Sequence, residues 1–152
     1  MNWRVNRFLY FTAQKFRSEP VRAAYKDLLR STSLSLNELE TIQGKRIKDL
    51  LNHAVDHVPY YKESFAAFAQ DIKNIGPTES RELLKALPVL TKRTAILEFE
   101  NLQSGKKYNT HNNVSSGTTG EPFQFQCDTL SWAYRHASIM RFLESNGVNF
   151  GD

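Results

Sequence analysis

The stretch Ser115-Ser116-Gly117-Thr118-Thr119-Gly120-Glu121-Pro122 gathers the residue types that an anion needs. Phosphate recognition takes several hydrogen-bond donors converging on one point, with backbone near enough to supply some of them. Gly117 and Gly120 carry no side chain and tolerate positive φ, so their neighbours' amides can turn inward. Ser115, Ser116, Thr118 and Thr119 add hydroxyls that donate to phosphate oxygens or help ligate Mg²⁺, and Pro122 limits the loop's exit. The spacing is neither that of a Walker A loop nor that of the G-x-G-x-x-G dinucleotide motif. On composition alone, a turn of small polar residues explains the segment about as well as a nucleotide site does.

Such a loop needs firm flanks. After it, Phe123-Gln124-Phe125-Gln126-Cys127 alternates apolar and polar with period two, as a half-buried strand does. Before it, residues 106–114 are polar with few helix signals. Asp128 or Thr129 can cap a following helix that carries Trp132, Ile139, Met140 and Leu143 through Ser145, and Asn146-Gly147 closes it. Upstream the chain reads as helical. Ser35 and Glu38 have capping-box spacing, and Ile47, Leu50, Leu51, Ala54, Val55 and Val58 form one apolar stripe that Pro59 ends. Tyr60 and Tyr61 begin a short turn carrying Phe65 and Phe68, a short helix spans Thr78 to Leu87, and Thr91 caps another through Phe99. Ser18-Glu19-Pro20 supplies a cap and a first-turn proline for a helix to about Leu29, and Ser31 to Ser33 is a polar link.

The first segment sets Val5, Phe8, Leu9, Thr12 and Phe16 at helical spacing among Arg4, Arg7, Lys15 and Arg17, with Trp3, Tyr10 and Phe11 widening the apolar face. Two uses follow: docking that aromatic side on the rest of the protein, the commoner one, or lying on an anionic membrane surface through residues 3–17. The charge is uneven. The chain has 152 residues and a net charge of +4, yet residues 1–30 hold seven Lys/Arg against Glu19 and Asp27. The remainder holds 13 basic and 14 acidic residues, so no basic stripe crosses the folded part, which weighs against nucleic acid as a partner. The single cysteine, Cys127, allows no internal disulfide, and no apolar run reaches the ~18–20 residues of a membrane span. The expected location is cytoplasmic, or peripheral at a membrane.

The segment VSSGTTGEP resembles the ATP phosphate-binding motif of the adenylate-forming superfamily, the acyl-CoA synthetases and their relatives. LLNHAVDHVPYYKESF (residues 50–65) and LKALPVLTKRTAILEFENL (residues 84–102) are similar to the N-terminal region of phenylacetate–CoA ligase-like proteins. That group includes CapK-type members linked to capsular polysaccharide biosynthesis. The terminal RFLESNGVNFGD fits the same pattern, and the likeness covers roughly residues 45–152. It implies a two-step reaction: a carboxylate attacks the α-phosphate of ATP to give an acyl-adenylate and pyrophosphate, and a thiol, usually coenzyme A, takes the acyl group. It also implies that Ser115, Ser116, Gly117, Thr118, Thr119 and Gly120 hold the β- and γ-phosphates, with Thr118 or Thr119 near Mg²⁺. Many members place a lysine just after the loop's proline; this chain has Phe123.

The fold expected from these features is α/β and α-rich: N-terminal helices, then a strand–phosphate-loop–strand hairpin and a helix, a fragment of the large N-terminal domain of adenylate-forming enzymes. Residues 1–44 would be a basic, aromatic helical arm and 45–152 a partial domain, helical over 45–105, with the hairpin and helix in 106–152. The family's adenine-binding segments and catalytic lysine would lie beyond Asp152, so the 152 residues alone are expected to be inactive. The competing reading is a non-catalytic truncated module that contacts a membrane or another protein. A cut α/β unit exposes strand edges and apolar surface, which favours self-association.

Other residues carry weaker signals. His53 and His57 are four apart on one helix, a metal-binding spacing without a third ligand nearby in sequence. His111 precedes the loop closely enough to approach a ligand or to sit at a strand edge. Arg135 and Arg141 could reach phosphate or line a solvated helix face. Cys127 reads as structural.

Overall fold

The computed structural model describes residues 2–16, 19–115 and 122–149. Eight helices precede or follow one hairpin among them: α1 (Trp3–Phe16), α2 (Val21–Arg30), α3 (Leu36–His57), α4 (Pro59–Ser64), α5 (Ala69–Asn74), α6 (Ser80–Ala86), α7 (Lys92–Leu97), β1 (Thr110–Val114), β2 (Gln124–Asp128) and α8 (Thr129–Ser145). Single 3₁₀ turns at Ser31–Ser33 and Ala66–Phe68 join neighbouring helices. The strands pair as a two-stranded antiparallel sheet. The chain is thus helix-rich with a small sheet, as the patterning predicts.

Local chemistry sets most boundaries. Ser35 caps α3 in a full capping box: its hydroxyl accepts from the Glu38 amide at 3.4 Å, and the Glu38 carboxylate accepts from the Ser35 amide at 2.8 Å. Thr91 accepts from the Thr94 amide at 3.1 Å to begin α7, and Asp128 accepts from the Ser131 amide at 2.6 Å to begin α8. At the far end of α8, Gly147 adopts φ +80°, Gly147 N–H bonds Glu144 O, and Val148 N–H bonds Leu143 O, both at 3.0 Å. These two bonds are a Schellman ending, for which glycine is the low-strain choice. Pro59 ends α3 and opens α4, with Val58 as the shared cap. Pro20, expected inside the first turn of α2, instead sits at its N-cap position without a side-chain cap.

The chain forms two compact units. The first comprises Met1–Leu34, Tyr108–Asn112 and Gln126–Asp152, and the second Ser35–Lys107 and Asn113–Phe125. The boundary expected between residues 44 and 45 falls within α3, a continuous helix of 22 residues.

In the first unit, α2 lies along α8, and the core is Val21, Ala24, Tyr25, Ala133, Ala137 and Met140, flanked by Tyr10, Phe11, Leu28 and Tyr134. The α8 stripe is therefore Ala133–Ala137–Met140, at i, i+4 and i+7, whereas Ile139 is half exposed. Small side chains win that face because they let two helices approach closely. On α1 the docked face is only part of the aromatic side expected to dock. Gln14 is buried, and Tyr10 and Phe11 pack on the core, while Val5, Phe8, Leu9 and Phe16 remain exposed.

The second unit is built from consecutive helices around Leu51, Val55, Phe65, Ile72 and Leu87, with Ile47, Tyr61, Phe68 and Leu83 at the edge. Leu50, expected in the α3 stripe, points outward and is 64% exposed. Gly44 lies against the Pro77 turn so closely that a Cβ would stand 1.9 Å from the Pro77 carbonyl oxygen. Buried Ser80 locks this contact by donating toward Gly44 O at 2.8 Å and Pro77 O at 2.7 Å.

Candidate functional site

The hairpin that carries the glycine-rich segment is pinned at its neck by one residue. Ser115 N–H donates to Phe123 O at 2.8 Å, and the Ser115 hydroxyl oxygen accepts from Phe123 N–H at 2.9 Å. A side chain thereby takes the place of a backbone carbonyl in the last rung before the loop, leaving the hydroxyl proton to donate elsewhere. Ser116, Gly117, Thr118, Thr119 and Gly120, the other expected phosphate ligands, lie outside the described residues, as does Glu121. Ser115 is thus the one member of the set whose contacts are described.

The strand after the loop follows its pattern. Phe123, Phe125 and Cys127 are half buried on one face, and Gln124 and Gln126 are exposed. The Phe123 and Phe125 rings stack 5.8 Å apart at 15°. Phe123, the residue after Pro122, is therefore a packing residue that stiffens the hairpin and supplies no charge to an anion. Toward the open end, the Gln126 amide donates to the Asn112 side chain at 3.1 Å, and both Thr129 N–H and its hydroxyl donate to Asn109 O at 3.0 Å. These bonds tie the start of α8 to the strand pair.

The remaining candidates separate cleanly. The Arg141 guanidinium reaches Leu28 O at 3.3 Å and Ser31 Oγ at 3.5 Å, so it closes the C-terminal end of α2, where a cation complements the helix dipole. In this arrangement it is half buried against the end of α2 and is not a freely solvated surface charge. Arg135 is exposed, with its guanidinium 5.5 Å from the centre of the Trp132 ring. His111 packs its ring 5.4 Å from Trp132, and Trp132 in turn lies 4.9 Å from His136, whose Nδ1 is 3.5 Å from the Tyr10 hydroxyl.

This row of imidazole, indole and imidazole was not legible in the sequence. His136 and Trp132 share a helix face, at i and i+4, but nothing in their spacing announces that a strand residue completes the row. The His53 and His57 rings face each other 5.0 Å apart, and His53 Nε2 lies 3.2 Å from Ser104 Oγ. Among the described residues, no group of three or more His, Cys, Asp or Glu is placed to hold a metal ion.

The first unit has one charged cluster of note. Glu144 accepts from the Arg7 guanidinium at 2.5 Å and from the Tyr25 hydroxyl. Burial, then the hydrogen bond to Glu144, pushes the Tyr25 phenol above its ordinary value. The cluster clamps α1, α2 and α8 together, and Tyr134 adds a second clamp by donating to Asp27 at 2.7 Å.

No protein-family model and no solved structure matches the chain. Among curated proteins, the phenylacetate–coenzyme A ligase of Escherichia coli strain K12 is 33% identical over 114 residues, which is 70% of this chain and 25% of that protein. The chain spans about a quarter of the length of the curated relative it matches. It is distantly related to that ligase.

Proposed function

We propose that this chain forms the N-terminal part of an ATP-dependent, carboxylate-activating ligase, with Ser115, Ser116, Gly117, Thr118, Thr119 and Gly120 gripping the β- and γ-phosphates of ATP. The observation that carries the reading is the 33% identity to phenylacetate–coenzyme A ligase over 114 residues. That relative's name brings phenylacetate into the proposal as a model for the acid and coenzyme A as the thiol. In this reading an aromatic or similar acid attacks the α-phosphate and pyrophosphate leaves; the thiol then attacks the acyl carbon of the acyl-adenylate, and AMP leaves as the thioester forms.

The role of this chain's residues is positioning and charge stabilisation, with no covalent step through the loop. The Ser115 neck supports the reading because it holds both ends of the segment together while its hydroxyl proton stays available. Thr118 or Thr119 approaches Mg²⁺ that arrives with the nucleotide. Phe123 offers no charge, so the cation that balances the phosphates comes from another part of the protein. A place in capsular polysaccharide biosynthesis, and a cytoplasmic location where ATP and coenzyme A are at hand, belong to the same proposal.

Calorimetric titration of Mg-ATP tests the loop. Gly117→Val weakens binding at least about tenfold by placing a branched side chain where backbone must approach phosphate. Equally weak binding by both proteins would remove the phosphate role. The 152 residues alone are expected to show no acid-dependent pyrophosphate exchange, and exchange by them would overturn that expectation.

A further inference from the structure

The exposed face of α1 combines apolar side chains with cations and excludes acids. Val5, Phe8, Leu9 and Phe16 are 48%, 68%, 54% and 88% exposed. At 100° per residue they fall within an arc of about 100°. Thr12 lies inside that arc, but its hydroxyl donates to Phe8 O at 2.9 Å, so its polar hydrogen is already used within the helix. No Asp or Glu occurs between Trp3 and Phe16. The opposite face is committed to the core through Tyr10, Phe11 and Gln14, with Arg7 held by Glu144. Rotation of the helix is thereby set, and the apolar arc is held outward.

The cations sit at one margin of this arc. Arg4 and Lys15 border it, and both also line a groove of about 1010 Å³ between α1 and α2, to which Arg22 and Lys26 contribute from α2. Among the described residues that line the groove, Glu19 is the one acid. The apolar arc and the cationic strip therefore run side by side, and α1, at 14 residues, is about 21 Å long.

We propose that α1 is a membrane-surface helix that seats its Val5–Phe8–Leu9–Phe16 face among the acyl chains of an anionic bilayer while Arg4, Lys15, Arg22 and Lys26 meet the headgroups. The charge distribution selects this occupant. Residues 1–30 carry a surplus of five positive charges while the rest of the chain is close to neutral, so attraction to acidic lipid is concentrated where the apolar side chains emerge. A helix lying in the interface suits the absence, among the described residues, of any helix long and apolar enough to cross a membrane. The proposal is independent of the nucleotide reading, because it uses no residue of the hairpin.

Flotation with vesicles tests it, using phosphatidylcholine alone and phosphatidylcholine mixed with phosphatidylglycerol, at low and high salt. The protein co-floats with the mixed vesicles, less so in high salt, and far less with phosphatidylcholine alone. Phe8→Asp combined with Phe16→Asp lowers the partition coefficient about tenfold or more, and Lys15→Glu lowers it about fivefold or more. Circular dichroism checks that each variant stays helical. Should the double variant lose helicity, Phe16→Asp alone carries the test, since that side chain touches least.

Absence of flotation, salt-independent flotation with both vesicle types, or equal flotation by the variants would overturn the proposal. So would a dimer in sedimentation equilibrium that Phe16→Asp dissolves while vesicles go unbound, which would assign the arc to a second copy of the chain.

Discussion

The two units solve the same problem with different materials. The first joins helices more than a hundred residues apart, and half of its six buried core residues are alanines. Little apolar volume is available there, so polar clamps select the pairing: Arg7 and Tyr25 to Glu144, Tyr134 to Asp27, and Arg141 to the end of α2. The second unit is drawn almost wholly from one continuous stretch and fills its core with Leu51, Val55, Phe65, Ile72 and Leu87. Its exposed ion pairs, Lys73–Asp56 and Lys85–Glu82, are the kind that adds little to stability. Bulk apolar burial stabilises without choosing partners, whereas a buried phenol against a carboxylate chooses one partner and tolerates few others.

The sharpest way to break this contrast is Ile72→Ala. Ile72 is fully buried, so the cavity and lost burial cost roughly 2–5 kcal/mol. Hydrogen exchange should rise in α3 and α5 and much less in α2 and α8. Equal loss of protection everywhere would show that the units unfold as one and would end the comparison.

Next in size is Tyr25→Phe, which leaves the packing and removes the hydroxyl that Glu144 accepts, at a cost of roughly 1–2 kcal/mol. The effect has a pH signature. The folded-state pKa of Tyr25 is raised, so its contribution is complete below the ordinary tyrosine value of about 10 and is lost as pH rises through the folded value. Thermal midpoints followed into alkaline pH should fall more steeply for the parent than for Tyr25→Phe. Parallel curves would mean the clamp is not a source of stability.

The smallest effect concerns Glu38, whose carboxyl is held below its ordinary value by hydrogen bonds from the Ser35 hydroxyl and then the Ser35 amide. A depressed folded-state pKa gives stability above the unfolded value, about 4.3, and loses it as pH falls through the folded value. Glu38→Gln keeps a capping partner but cannot titrate, so its acid limb should be flatter by a small margin. An unchanged acid limb would place the acid sensitivity of the second unit elsewhere.

Much of the helical layout was readable because caps and stops act over three or four residues. The Ser35 box, Thr91, Asp128, Pro59 and Gly147 all do what their neighbours dictate, and the period-two run after the loop is a strand. The short α5 helix escaped notice because its six residues carry no cap and no repeated stripe. The candidate site was readable only as a pattern of residue types. Its neck adds one contact that no propensity rule encodes, a serine hydroxyl standing in for a carbonyl.

Sequence by itself determined where most of the helices begin and end and that an extended strand follows the glycine-rich segment, since each depends on residues within a turn of one another. Only the tertiary structure decided which face of α1 is turned inward, that alanines and not isoleucine line α8, and that Arg141 ends a helix. Those choices depend on contacts between residues 1–34 and 126–152, where close helix approach and hydrogen-bonded charge outweigh the hydrophobicity of any single side chain.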